Sequence, residues 1–278
     1  MRGKALLKIL GLVVVPVFCF GQQPQAAPEA EGATLKVDPG PAVIKQKDLY
    51  EGTGLFRPLA RIPGYVLHDE KSILTSPFHT SRANAKWWVI FGTATAALIA
   101  TDKNTVKQLP NSPTQISVSK WGSRIGSAYS LIPISAAFYV AGTRSHQERL
   151  RETGLLSFEA LIDSNITVQL IKTVADRARP YEGNGTGRFE NSVNSRWSSS
   201  FPSGHAINAW ALASVVAHQY RHTRIVPIVA YGLASVVVLA RVGAQQHFPG
   251  DVVVGSAMGW FIGDYVYGKR HNRSLDAK

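Results

Sequence analysis

Cysteine is almost absent. Cys19 is the only one in 278 residues, so no intrachain disulfide and no cysteine-based metal site can form. Acidic residues are scarce as well, 18 Asp+Glu against 30 Lys+Arg, which leaves a formal net charge of +12. That excess favours anionic partners such as phosphate esters, anionic lipid heads or nucleic acid, beside the plainer reading of solubility and a membrane-side positive bias. The basic residues cluster in turns and no nucleic-acid recognition element is present, which makes nucleic acid a poor partner. Alternating strand patterns are missing too. Mean hydropathy is near zero, low for a chain that is mostly membrane, so spanning helices must be argued segment by segment.

The first residues carry a basic start (Arg2, Lys4), an apolar stretch from Leu6 to Phe20 and the small residue Gly21. This pattern predicts a secretory signal over 1–21, with an uncleaved anchor as the alternative. Phe18 before Cys19 is too bulky for a lipoprotein signal, so lipidation is not expected. Removal of the signal would leave a mature chain without cysteine, which suits an exported protein. Residues 22–48, rich in Gln, Pro, Ala and Glu, read as a disordered linker. Residues 49–85 read as an irregular segment, because Arg57-Pro, Ile62-Pro-Gly and Ser76-Pro interrupt any long element.

From Lys86 the character changes. Apolar or amphipathic runs predict helices over Trp87–Ala100, Ile125–Gly142, Glu152–Asp176, His205–His218, Ile225–Ala240 and Asp251–Tyr267. The expected fold class is all-α, a bundle of about six helices over 86–270 with its active site at one end, followed by a basic tail at 271–278. A fourteen-residue helix spans only about 21 Å against roughly 30 Å of hydrocarbon. Arg-rich turns fall on one face of such a bundle, as a cytoplasmic face would, yet a cleaved signal would put that face outside. The reading that reconciles them is an exported bundle, soluble or partly embedded, periplasmic or membrane-associated at the cell envelope.

Three clusters carry chemistry. In Lys172-Thr-Val-Ala-Asp-Arg-Ala-Arg-Pro180, Lys172 and Arg179 stand seven positions apart at the expected end of a helix, two turns on one face, and can converge on one anion. The plainer reading is a solvated basic C-terminus complementing the helix dipole. Asp176 and Arg177 within this cluster read as surface residues. In Pro202-Ser-Gly-His205, Ser203 suits an N-cap, Gly204 lets an anion approach the backbone, and His205 sits in the first helical turn. In Arg241-Val-Gly-Ala-Gln-Gln-His-Phe-Pro-Gly-Asp251, Asp251 lies four residues after His247 and is placed to orient its ring, or simply to cap the next helix. In an up-down bundle all three clusters meet on one face. Three cations, two histidines and a carboxylate there fit a phosphoryl group held without a metal.

The combination Lys172-x6-Arg179-Pro180, Pro202-Ser-Gly-His205 and Arg241-x5-His247-x3-Asp251, separated by 21 and 35 residues, resembles the signature of the type 2 phosphatidic acid phosphatase and vanadium haloperoxidase superfamily. One departure is visible: the family's third part begins Ser-Arg, whereas Ala240 precedes Arg241 here. The resemblance implies a phosphoric ester hydrolase. Lys172, Arg179, Ser203, Gly204 and Arg241 would bind phosphate; His247 would be the nucleophile and Asp251 its orienting group. His205 would protonate the leaving alcohol and then activate water. It implies no metal and no cofactor, with vanadate as an inhibitor. The alternatives are a vanadate-dependent haloperoxidase, in which vanadate is the cofactor, and a non-enzymatic protein that binds phosphate or anionic lipid. The expected substrate is a phosphorylated lipid or small phosphate ester or pyrophosphate, with membrane contact. Outside the motifs, the 181–200 loop with Arg188, Phe189, Arg196 and Trp197 reads equally as a lid or as free surface. Glu159 and Asp163, one turn apart, are given no catalytic role, and His218 and His222 fall away from the chemistry.

Overall fold

Prolines that look like breakers turn out to start helices. In the computed structural model, which describes residues 54–76, 81–109, 112–182, 187–189 and 199–276, a first helix α1 covers Ile62–Thr75 with Pro63 in its opening turn. Proline costs nothing there, since its missing N–H would have no helical partner. The irregular segment expected over 49–85 therefore contains a regular helix. A further helix that the sequence reading passed over, α3 (Pro113–Ser123), begins the same way, with Pro113 first and the Ser112 hydroxyl accepting from the Gln115 N–H at 3.2 Å.

The expected helices are present, and most run longer than predicted. They are α2 (Arg82–Lys107), α4 (Ala128–Arg144), α5 (Glu148–Ala175), α6 (Gly204–Gln219), α7 (Ile225–Gly243) and α8 (Pro249–Arg270). At 1.5 Å per residue α5 reaches about 42 Å, so the short-helix argument against a bilayer falls away. The polar Thr101-Asp-Lys-Asn does not stop α2, because Asp102 points inward and is 1% exposed. The described residues are all-α, with one isolated bridge between Arg177 and Phe189. The expected signal and linker, residues 1–48, lie outside the described residues. The expected basic tail does not hang free over 271–276: His271 pairs with buried Glu152 at 2.7 Å, and Arg149 donates to the Leu275 carbonyl.

The core is one bundle centred on α6. One apolar cluster joins Trp210 and Ala213 of α6 to Val237, Val238 and Val242 of α7. A second joins Ile207, Ala211 and Val215 of α6 to Leu156 and Ala160 of α5 and Ile262 and Val266 of α8. A small satellite seats Ile62 and Val66 of α1 against Tyr139 and Leu155. The tight contact of α6 with α8 depends on Gly255, Gly259 and Gly263, one turn apart. A Cβ on Gly259 would stand 2.1 Å from the Ile207 carbonyl oxygen. That neighbour is backbone and cannot swing aside. Gly259→Val is therefore expected to lower stability by about 3 kcal/mol or more, read as the unfolding midpoint in denaturant.

The outer surface is unusually apolar. Ile225, Ile228, Val229, Leu233 and Val236 line the exposed side of α7, and Val118, Trp121, Tyr129, Ile134 and Val140 continue the surface on α3 and α4. Two stretches, Pro113–Arg144 and Ile225–Gly243, are long and apolar enough to cross a membrane.

Candidate active site

Chain direction sets the site. α5 ends, α6 begins, α7 ends and α8 begins at one end of the bundle, and the three motifs lie at those termini. The route of the first motif differs from expectation. α5 stops at Ala175, not at Pro180; Asp176 takes a left-handed conformation (φ 37°) and its N–H returns to the Lys172 carbonyl. Arg179 thus reaches the site from a loop, not from the same helix face two turns past Lys172.

The cause lies in Arg177, which is buried and not the surface residue expected from the sequence. Arg177 is 2% exposed and Asp176 6%. The Arg177 guanidinium bonds Asp251 Oδ1 through Nη1 at 2.6 Å, Asp102 Oδ2 through Nη2 at 2.9 Å, and the Gly187 carbonyl through Nε at 3.1 Å. Its flat faces meet Phe248 and Phe189, with ring centroids at 4.4 and 5.0 Å. Gly187 passes so close, at φ 62°, that a Cβ there would stand 2.8 Å from Phe248. Asp102, on α2, also accepts from the Gly250 N–H at 2.9 Å. Burial pushes the Asp102 carboxyl up to about 6, against the Gly250 and Arg177 donors that hold it down, so it is ionised at neutral pH.

The orientation of His247 also differs from expectation. Its Nδ1 lies 3.8 Å from Asp251 Oδ2, too far for a direct hydrogen bond. Nδ1 lies instead 2.7 Å from the Ser200 carbonyl oxygen, which fixes the proton on Nδ1 and leaves Nε2 as the free base. Asp251 acts one step back. Its Oδ2 accepts from the Ser200 hydroxyl at 2.5 Å and from the Phe248 N–H at 2.8 Å, clamping the backbone on both sides of the ring. Burial alone would raise the Asp251 carboxyl, but the His247 ring, Arg177 and the Ser200 hydroxyl hold it below its usual range. His247 is 1% exposed; burial, with some help from Arg241 and Arg179, lowers it to about 4.

The remaining motif residues converge on this ring. Burial lowers His205 to about 3, and the charges of Arg241, Lys172 and Arg179, together with His247, press the same way. Lys172, 8% exposed, is lowered to about 8 by burial and by its neighbours Arg179 and Arg241. Arg179 Nη1 contacts the Gln246 carbonyl and side chain at 3.4 and 3.3 Å. Arg241 Nη1 contacts the Ser123 hydroxyl of α3 at 3.3 Å, so a serine from another helix supports this arginine, where the family places its serine at position 240. Ser203 occupies the N-cap position of α6 without capping it. Its hydroxyl is buried and has no partner among the described residues. Nothing lies within 4 Å of where a Gly204 Cβ would stand, so packing does not demand that glycine and its open side is available to an anion.

Beyond the motifs, Phe189 stands edge-on to Phe201, while Arg196 and Trp197 lie outside the described residues. His218 pairs with Asp264 at 3.2 Å, toward the far end of α6, and His222 is exposed nearby.

Residues 153–274 match the model of the PAP2 superfamily, a span that contains all three motifs. The motif resemblance points to the same family. Among solved structures, the chain is similar to the first transmembrane PAP2-type phosphatidylglycerolphosphate phosphatase from Bacillus subtilis. The two are 20% identical, with a TM-score of 0.47, over 75% of this chain and 96% of that one. No curated protein matches.

Proposed function

We propose that the protein is a metal-independent phosphatase that hydrolyses a lipid phosphate ester through a phosphohistidine on His247. The observation that carries this reading is the convergence of Lys172, Arg179 and Arg241 on two neutral imidazoles, one of them with its Nδ1 fixed by the Ser200 carbonyl. The three cations bind the non-bridging phosphate oxygens, and the free N–H groups at the start of α6 add to them. His247 Nε2 attacks phosphorus as the ester oxygen departs with a proton from His205. Water, deprotonated by His205, then breaks the N–P bond, and phosphate leaves with both histidines restored. The donor set disfavours a metal at this point. It is cationic, and its one carboxylate, Asp251, is already matched by Arg177.

The field that makes His205 a poor base before substrate binds serves the reaction. Cations repel a proton from the ring until a phosphate dianion reverses the local charge, so the proton is held when there is a leaving group to receive it.

The lipid reading rests on the surface. An apolar groove of about 640 Å³ lies between α4 and α5, lined by Tyr129, Ile132, Ile166, Leu170 and Thr173. An acyl or isoprenyl chain is the kind of group such a groove would take. With the exposed apolar faces of α3, α4 and α7, this supports a membrane-associated enzyme of the cell envelope. Phosphate release measured across phosphatidic acid, phosphatidylglycerol phosphate, isoprenyl pyrophosphate and soluble monoesters tests the reading. A clear preference for lipid esters is expected, and activity on soluble esters alone contradicts it.

Lys172 gives the pH profile a definite sign. Its ammonium is charged below about 8 and neutral above, so kcat/KM, which reports the free enzyme, is expected to fall above about pH 8. Lys172→Arg should move that limb upward by more than one unit, since arginine stays charged. An unchanged limb in the variant assigns it to another group.

A further inference from the structure

A second cluster lies well away from the phosphate site. Asp69 of α1 and Glu159 and Asp163 of α5 bring carboxylate oxygens within 4.8 Å of one another. All three are buried, at 0%, 1% and 0% exposure. Asp163 stands nine residues before Lys172 along α5, about 14 Å of helix.

Two of the carboxylates are partnered. Arg270 donates to Asp69 Oδ2 through Nη2 and forms an ion pair with Glu159 Oε1 through Nε, each at 2.6 Å. The Tyr265 hydroxyl donates to Asp69 Oδ1 at 3.2 Å, and the Tyr65 ring covers the guanidinium at 4.2 Å. Glu70, partly exposed at the edge, accepts from the Thr167 hydroxyl at 3.2 Å. Asp163 is different. Neither of its oxygens has a hydrogen-bond partner among the described residues, although the side chain is wholly out of water. A buried carboxylate without a donor must be neutralised or held by something else.

The charge identifies a fitting occupant. With Glu70 left at the partly exposed edge, the three buried carboxylates against one guanidinium leave two negative charges, the complement of one divalent cation. The donors are all oxygen, with no histidine or cysteine among them, and a hard cation such as Ca²⁺, Mg²⁺ or Mn²⁺ prefers that set. We propose that Asp69, Glu159 and Asp163 hold one divalent, oxygen-preferring cation, which fastens α1 to α5 and to the end of α8. The role is structural and independent of the phosphatase reading. The competing occupant is a pair of protons, since burial, with neighbouring carboxylates, pushes Asp163 up to about 8 and Glu159 up to about 9.

The test uses the full chain in detergent, equilibrated with about 1 mM each of Ca²⁺, Mg²⁺ and Mn²⁺, desalted, and analysed for bound metal. About one equivalent of one of these ions per chain is expected. A chelator should lower the thermal midpoint, and the same ion should restore it. Asp163→Asn keeps the shape, and should lose the metal and the chelator response together while still folding. Absence of stoichiometric metal, with a midpoint indifferent to chelator, overturns the proposal in favour of protons; in that case Asp163→Asn should leave the midpoint unchanged or raise it. Metal content is read without substrate, so this result stands apart from any result on phosphate release.

Discussion

His247→Ala is expected to lower phosphate release by about 10⁴-fold or more, with the bundle still folded. The size follows from the role. Without Nε2 no covalent intermediate forms, and only the binding and charge stabilisation supplied by Lys172, Arg179 and Arg241 remain. The ring is buried, so alanine leaves a cavity, and stability must be read beside activity. His247→Asn is the control, because its amide can still donate toward the Ser200 carbonyl while lacking a nucleophile. Both variants should be equally inactive. A folded variant that releases phosphate at the parent rate contradicts the mechanism.

Arg177→Met is expected to cost about 3–5 kcal/mol of stability, the range for removing one partner from a buried charge cluster. Two carboxylates, Asp102 and Asp251, would then face each other without the guanidinium that separates them. Activity should fall by about 10²-fold through kcat, because Asp251 loses the partner that holds it under the His247 loop. KM should change little, since Arg177 faces Asp102, Asp251 and Gly187 and not the phosphate. Arg177→Lys should not restore the parent, as one ammonium cannot serve three acceptors in a fixed fork. Unfolding and steady-state kinetics on the same preparations check both halves. An effect on KM alone would make Arg177 a phosphate ligand.

The motifs themselves were legible because their chemistry depends on residue type and spacing, which a sequence carries directly. Their surroundings were less so. Arg177 looked like a surface residue because a helix continued to Pro180 would turn it outward. The left-handed turn at Asp176 turns it inward, and no glycine marks that turn. Asp102 lies just past the apolar run Trp87–Ala100, in a polar stretch that reads as the end of the helix, and its partner stands 75 positions away in sequence. The carbonyl that orients His247 belongs to Ser200, and a backbone oxygen has no signature at all. Asp251 was rightly placed next to the ring in sequence but reaches it through Ser200. α1 was hidden by Pro63, which reads as a breaker inside a helix and as a starter at its first turn.

The central claim is covalent catalysis by His247. Its most direct measurement is a rapid alkaline quench of the enzyme during turnover, followed by mapping of the phosphorylated peptide. Phosphohistidine survives alkali and is lost in acid. The account predicts an alkali-stable, acid-labile phosphate on His247, absent from His247→Asn and accumulating when His205 is replaced by Asn and the substrate is an aryl phosphate whose leaving group needs no proton. Phosphate on any other residue, or full turnover without a trapped phosphoenzyme in either background, would contradict it.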